Sequence, residues 1–230
     1  WLKEISDRVL KDDVLDLPPK LYTKRYFDLS REQKAAYEEL KEELMLEIGN
    51  HLVTAELPIV KLLRLQQIAC NYVPLGEDEP DHMFSAKNPR MNVMEDIRDA
   101  TFTPGIIWAR FRHDVDQLMD LFGKTAVRYD GSVDEDQAER NKLAFQRGDA
   151  QWFIGTAAKG GPGLTLTQAK VMVYYSNSFK LIDRLQSEDR CHRAGMDEHP
   201  VTYIDVVANG TVDEKIVENL RGKRDIAQLI

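Results

Sequence analysis

Cysteine is scarce in this chain of 230 residues: there are two, Cys70 and Cys191, far apart and with no Cys-x-x-Cys pair. That fits a reducing compartment and argues against a thiolate zinc site, so no metal ligands are assigned. Long apolar runs are absent too. The longest, such as VMVYY at 171–175, fall far short of the roughly 20 residues that a spanning helix needs, and no membrane partner is expected. The first ten residues, WLKEISDRVL, are charged throughout and carry no signal peptide pattern. With no initiator Met, the chain reads as a piece of a longer protein. Excess positive charge is also missing. The formal net charge is −8, with acid concentrated at 38–47 and 77–81. This argues against extensive phosphate contact, which requires Lys and Arg, yet leaves room for a small basic surface. There is no internal repeat and no low-complexity tract.

What is present is a chain that is 43% hydrophobic and 30% charged, enough for one large domain or one domain with an appendage. Residues 1–85 read as a mostly helical extension with one short strand at 21–27. Ser30 is an expected helix N-cap with Gln33 as its capping-box partner. Tyr37, Leu40, Leu44 and Ile48 then follow at helical spacing and predict one apolar face. Pro58 opens a second predicted helix through residue 72. The Pro- and Gly-bearing stretch 73–89 predicts a surface loop and a boundary. After residue 90, within a lobe taken as 86–230, the rhythm becomes strand and helix in alternation. Strands are expected at 106–109, 125–129, 151–155, 171–175 and 201–207. Helices are expected at 113–122, 134–147 and 181–193, with a last one opened by the Thr211 and Glu214 capping pattern. That order predicts an α/β fold: a doubly wound, mostly parallel sheet with helices on both faces and ligands at the carboxyl ends of its strands.

Three segments carry candidate chemistry. In QSEDRCHR at 186–193, helical spacing would put Gln186, Arg190 and Arg193 on one face, and paired guanidiniums suit a phosphate. The alternative is a solvated face paired with Glu188 and Asp189. After the predicted strand at 151–155, Gly160, Gly161 and Gly163 permit a tight turn whose backbone could approach an anion, or an ordinary connection. YDGS at 129–132 is a turn with Ser132 or Asp134 as an N-cap.

The ordered set of these segments resembles the carboxyl-terminal motor lobe of the Swi/Snf class of DNA translocases, in the second helicase superfamily. It comprises LPPK at 17–20, LSREQKAAYEEL at 29–40, LLRLQQIACNY at 62–72, IIWARFRHDVDQL at 106–118 and YDGS with Arg140 and Phe145. IGTAAKGGPGLTLTQA at 154–169, QSEDRCHRAG at 186–195 and GTVDEKI at 210–216 complete it. The wording is nearest to phage-like or bacterial members. The resemblance implies a RecA-like lobe in which Arg190 and Arg193 are arginine fingers reaching to ATP and Gln186 aligns them. It places Gly160, Gly161 and Gly163 at the ATP cleft, and Thr156, Lys159, Arg112, Gly131 and Ser132 at the DNA. Two features depart from the family pattern. An extra residue lies between Thr156 and the glycines, within Ala157, Ala158 and Lys159, and Phe179 stands where a tryptophan is usual.

A motor of this class also needs a Gly-x-x-x-x-Gly-Lys-Ser/Thr loop and an Asp-Glu box for Mg. Neither is found: Lys223 is followed by Arg224, and the acidic triplet at 134–136 opens a helix. ATP and Mg are therefore expected on an amino-terminal lobe of the same protein, and this chain alone is expected to be inactive and monomeric. DNA and that lobe are the expected partners. The expected location is the cytoplasm of a bacterial or phage-infected cell, or the nucleus if the source is eukaryotic. Two alternatives remain: a stand-alone nucleic-acid-binding or adaptor module with the same fold, and a nucleotide-sugar-binding lobe. The latter leaves the arginine spacing without a reason.

Overall fold

The computed structural model describes residues 17–43, 57–76, 79–159 and 164–222, with the backbone of 45–48 and 51–54. The first strand, β1 (Lys20–Phe27), is followed by α1 (Arg31–Glu43) and a two-stranded antiparallel pair, β2 (Met45–Ile48) with β3 (His51–Thr54). Then come α2 (Pro58–Ala69) and a second short pair, β4 (Tyr72–Val73) with β5 (His82–Met83). The alternating part runs α3 (Pro89–Ala100), β6 (Gly105–Ala109), α4 (Arg112–Phe122), β7 (Ala126–Tyr129), α5 (Glu135–Arg147), β8 (Trp152–Thr156) and β9 (Val171–Tyr174). It closes with α6 (Leu181–Glu188), β10 (Val201–Ala208) and α7 (Val212–Arg221). Six strands form one sheet in the order β1-β10-β9-β6-β8-β7, every pair parallel. The doubly wound α/β expectation is what the chain adopts.

The inner strands are apolar on both faces because both faces are covered, whereas most residues of the edge strand β1 are exposed. Successive residues alternate between two cores. Ile107, Ala109, Ile154, Val173 and Val206 join the core that includes Met94, Ile97, Val115 and Leu118 of α3 and α4. Ile106, Trp108, Phe153, Met172 and Tyr203 join the opposite one, with Phe145 of α5. A third cluster packs α1, α2 and α7 together through Tyr37, Leu40, Ile68, Ile216 and Leu220. Close approach fixes one glycine in the sheet: a Cβ on Gly155 would lie 2.0 Å from the Tyr129 carbonyl oxygen on the neighbouring strand.

Local signals set most ends. Ser30 and Gln33 cap each other reciprocally, at 3.0 and 3.1 Å. Asn88 caps α3 with Pro89 in its first turn, and Asp134 caps α5. Thr211 caps α7, while Glu214 reaches back to the Gly210 N–H, one residue beyond the expected partner. Two helical expectations need correction. The face expected from Tyr37 to Ile48 stops when α1 ends at Glu43, and Met45–Ile48 pairs as a strand with His51–Thr54. The Gly49-Asn50 pair between those strands in sequence favours a tight hairpin over a continuing helix. The helix expected at 181–193 ends at Glu188. Strand β1, from the segment before residue 86, is paired along its whole length with β10 at one edge of the sheet.

Candidate functional site

Strands β6, β8 and β9 end side by side, and a pocket of about 250 Å³ opens at their carboxyl ends. Trp108, Arg110, Thr156, Ser176, Asn177 and Arg184 are among its lining residues. Arg110 follows directly on β6. Its guanidinium lies 3.8 Å from the centre of the Phe179 ring and donates to Gln66 Oε1 at 2.8 Å. Phe179, buried where the family pattern has a tryptophan, is thus a platform for an arginine. Burial lowers the Arg110 pKa to about 10, and no carboxylate forms an ion pair with it among the described residues. Behind the pocket, Ser176 Oγ accepts from the Arg110 N–H and donates to Asp114 Oδ2, both at 2.8 Å. Asp114 is fully buried, and burial pushes its carboxyl up to about 7 although Ser176 and Arg90 pull it down.

Beside the pocket, the turn after β7 is built around Asp130. Its carboxylate accepts from Arg128, from the Ser132 N–H at 2.9 Å and from the Ser132 hydroxyl. Burial alone would raise this carboxyl, but those donors hold it at about 2. Gly131 and Ser132 stay exposed. Lys159, in the extra-residue stretch after β8, donates to the Asp130 and Val133 carbonyl oxygens at 2.6 and 2.9 Å. Its ammonium is therefore committed to the turn, and it ties the segment after Thr156 to Gly131 and Ser132.

The third part is the arginine turn. Gly160, Gly161 and Gly163 lie outside the described residues. Just after them, the Leu166 N–H bonds to the Arg190 carbonyl oxygen at 2.8 Å, and Arg193 Nη1 donates to Thr165 Oγ1 at 3.2 Å. The two segments singled out in the sequence are thus joined. The common helical face expected for Gln186, Arg190 and Arg193 is not formed. Gln186 is exposed in the last turn of α6, whereas Arg190 and Arg193 follow the helix end. Two bonds account for it: the Arg190 N–H closes a tight turn onto the Ser187 carbonyl, and its own carbonyl is taken by Leu166 from outside the helix. Arg190 is buried, and its Nε has no hydrogen-bond partner. Burial and the neighbouring charge of Arg193 lower its pKa, against the opposing pull of Asp189.

Thr156 therefore lines the pocket, Gly131, Ser132 and Lys159 sit in one knot beside it, and Arg190 with Arg193 join the 164–166 segment. Arg112 is exposed on the first turn of α4 and is not part of the pocket wall; the neighbouring Arg110 is. Sequence reasoning passed over Arg110, although its place immediately after a predicted strand was the available signal. It also passed over Asn177 and Arg184, whose role depends on Asp205 in β10, buried between Arg184 and Arg221. No group of three or more His, Cys, Asp or Glu among the described residues could hold a metal ion, and no helix among them is long and apolar enough to cross a membrane.

Residues 90–195 match the family model of the helicase conserved C-terminal domain. The fold is that of the C-terminal part of the Fun30 ATPase domain, with a TM-score of 0.64 at 16% identity, covering 88% of this chain and 89% of that one. The chain is thus similar to helicase carboxyl-terminal domains, with SWI/SNF-related proteins among its relatives. It is 36% identical over 129 residues to human lymphoid-specific helicase, covering 54% of this chain and 15% of that protein. It is 27% identical over 248 aligned positions to human SWI/SNF-related matrix-associated actin-dependent regulator of chromatin subfamily A member 1, covering all of this chain and 23% of that protein. The chain thus spans less than a quarter of the length of either relative.

Proposed function

We propose that this lobe completes the ATPase site of an ATP-driven motor that translocates along or remodels duplex DNA. Residues 86–230 act as the lobe proper, and residues 1–85 as an extension that lends β1 to its sheet. The reading rests on one observation above others. Arg190 and Arg193 lie next to each other without a carboxylate ion pair among the described residues, on a turn bonded to the segment that follows the glycines. Like charges held close, one of them buried with an unsatisfied Nε, are stabilised by an arriving anion. Arg190 and Arg193 would neutralise charge developing on the ATP phosphates, which are held mainly by an amino-terminal lobe of the same protein, with Gln186 at the interface. Fingers of this kind are worth roughly 10³–10⁵ in rate. Mg belongs with the phosphates on that other lobe. No described cluster here offers ligands for it, and no step is assigned to it on this side.

On the DNA side, the exposed Ser132 and Gly131 backbone with the half-buried Thr156 would meet phosphate oxygens, with Arg110 at the pocket wall and Arg112 exposed on α4. Lys159 serves that surface by holding its turn in place. In sequence, the glycines at 160, 161 and 163 stand between Lys159 of this surface and the 164–166 segment bonded to the arginine turn.

In the full-length protein, duplex DNA should raise the rate of ATP hydrolysis. This chain alone should hydrolyse no ATP and should bind duplex weakly, with affinity falling steeply as salt rises. A full-length protein whose ATP turnover ignores DNA contradicts the reading. Tight, salt-resistant duplex binding by this chain alone favours a stand-alone binding module instead.

A further inference from the structure

The carboxyl of Glu188 is the meeting point of three side chains from two elements. It accepts from Arg184 Nε within α6 at 2.7 Å, and from Lys20 Nζ and the Tyr22 hydroxyl of β1, both at 2.8 Å. Glu188 is buried, yet Arg184 and Lys20 hold its carboxyl below the usual glutamate range against the upward pull of burial. Arg184 is itself fixed on three sides. It bonds to Asp205 of β10 and to Asn177 Oδ1, and it lies 3.6 Å from the centre of the Tyr174 ring. Lys20 and Tyr22 are no looser: β1 is paired along its length with β10, and the Tyr22 ring stacks on Tyr203 at 5.1 Å.

The backbone of the same residue starts the arginine turn. Glu188 is the last residue of α6, and its carbonyl oxygen accepts from the His192 N–H at 3.2 Å and, more weakly, from the Tyr203 hydroxyl and the Cys191 thiol at 3.5 Å. Its carboxyl therefore grips β1 while its carbonyl holds the turn that carries Arg190 and Arg193. We infer that Glu188 is a positioning residue for ATP hydrolysis: its clasp with Lys20 and Tyr22 sets the reach of the two arginines. The inference rests on the finger reading above. By it, the strand contributed by the chain's first 85 residues helps to set turnover. A displacement of the order of 1 Å at a reacting group costs up to about a hundredfold in rate.

The test is steady-state ATP hydrolysis by the full-length protein at saturating duplex DNA, with Glu188→Gln, Tyr22→Phe and their combination. Tyr22 is half-exposed, so Tyr22→Phe removes one hydroxyl without disturbing the core. Glu188→Gln should lower kcat by about tenfold or more, and Tyr22→Phe by a smaller factor. The KM for ATP should stay near wild type in both, the melting temperature should fall for Glu188→Gln, which breaks a buried pair, and hold for Tyr22→Phe, and the double variant should lose less kcat than the product of the two factors. Wild-type kcat in both single variants, measured well below their melting temperatures, overturns the inference, as does a fall in kcat that vanishes once the folded fraction is counted. Arg190→Ala and Arg193→Ala belong in the same series. If they are inactive while Glu188→Gln turns over normally, the clasp alone fails; if they turn over normally, the finger reading and the clasp fall together.

Discussion

Replacing Arg90 by Met should destabilise this lobe more than almost any other single polar change. The Arg90 side chain is fully buried between the Phe27 and Tyr175 rings, whose centres lie 4.9 and 5.3 Å from its guanidinium carbon. It pairs with the Asp213 carboxylate in the first turn of α7 and donates to the carbonyls of Ala69, Tyr175 and Val206. One side chain thus ties α3 to α7, β10 and the ends of α2 and β9. Met fills much of the volume but leaves a buried carboxylate and three carbonyls short of a donor. Breaking a buried pair from one side costs about 3–5 kcal/mol. At about 2–4 °C per kcal/mol for a domain of this size, the melting temperature should fall by about 6–20 °C. Urea unfolding of the wild type and the variant measures this directly. Asp213→Leu added to Arg90→Met should recover part of the loss, since the stranded charge is then gone. A loss below about 1 kcal/mol for Arg90→Met would refute the reasoning.

Two further predictions concern the sheet and its carboxyl edge. With Asp114 at about 7 in the fold, against about 4 in an unfolded chain, the folded state holds a proton that the unfolded state has released between about pH 4 and 7. The stability from this group is fully present below about pH 4 and is lost as pH rises through 7. Asp114→Asn should remove that slope, so the variant should gain on the wild type from pH 5 to pH 8 in denaturant unfolding; identical pH dependence would exclude it. Gly155→Ala places a methyl 2.0 Å from the Tyr129 carbonyl oxygen, a contact with backbone that a rotamer change cannot relieve. It should cost at least about 3 kcal/mol, read by the same unfolding assay, and an unchanged midpoint would show that β7 and β8 can separate freely.

The alternating half of the chain was legible because most strands there are short apolar runs bounded by turn residues and several helices carry their own side-chain cap. Asp134, Thr211 and the Ser30–Gln33 pair act within a few residues of themselves. The position of β1 was not legible, since its partner β10 lies some 180 residues further on and nothing local names it. The end of α6 was hidden for a similar reason. Gln186, Arg190 and Arg193 keep helical spacing in sequence, and what stops the helix is a bond from Leu166, far upstream. Tertiary contact overrode local pattern there, as it did for Lys159. Its charge suggested phosphate, but its ammonium is bonded to two carbonyls of the β7 turn. Arg110 was missed in favour of Arg112 because the two differ only in which side of Phe111 they fall on. One faces the pocket and the other opens α4.

The central claim is that this lobe carries the charge that completes an ATP site held by another lobe. Its most direct measurement is a comparison of ATP binding and single-turnover ATP hydrolysis, on duplex DNA, for the full-length protein and its Arg190→Ala and Arg193→Ala variants. Both variants should bind ATP almost as the wild type does and should hydrolyse it at least about a thousandfold more slowly. Hydrolysis at the wild-type rate in both would contradict the claim.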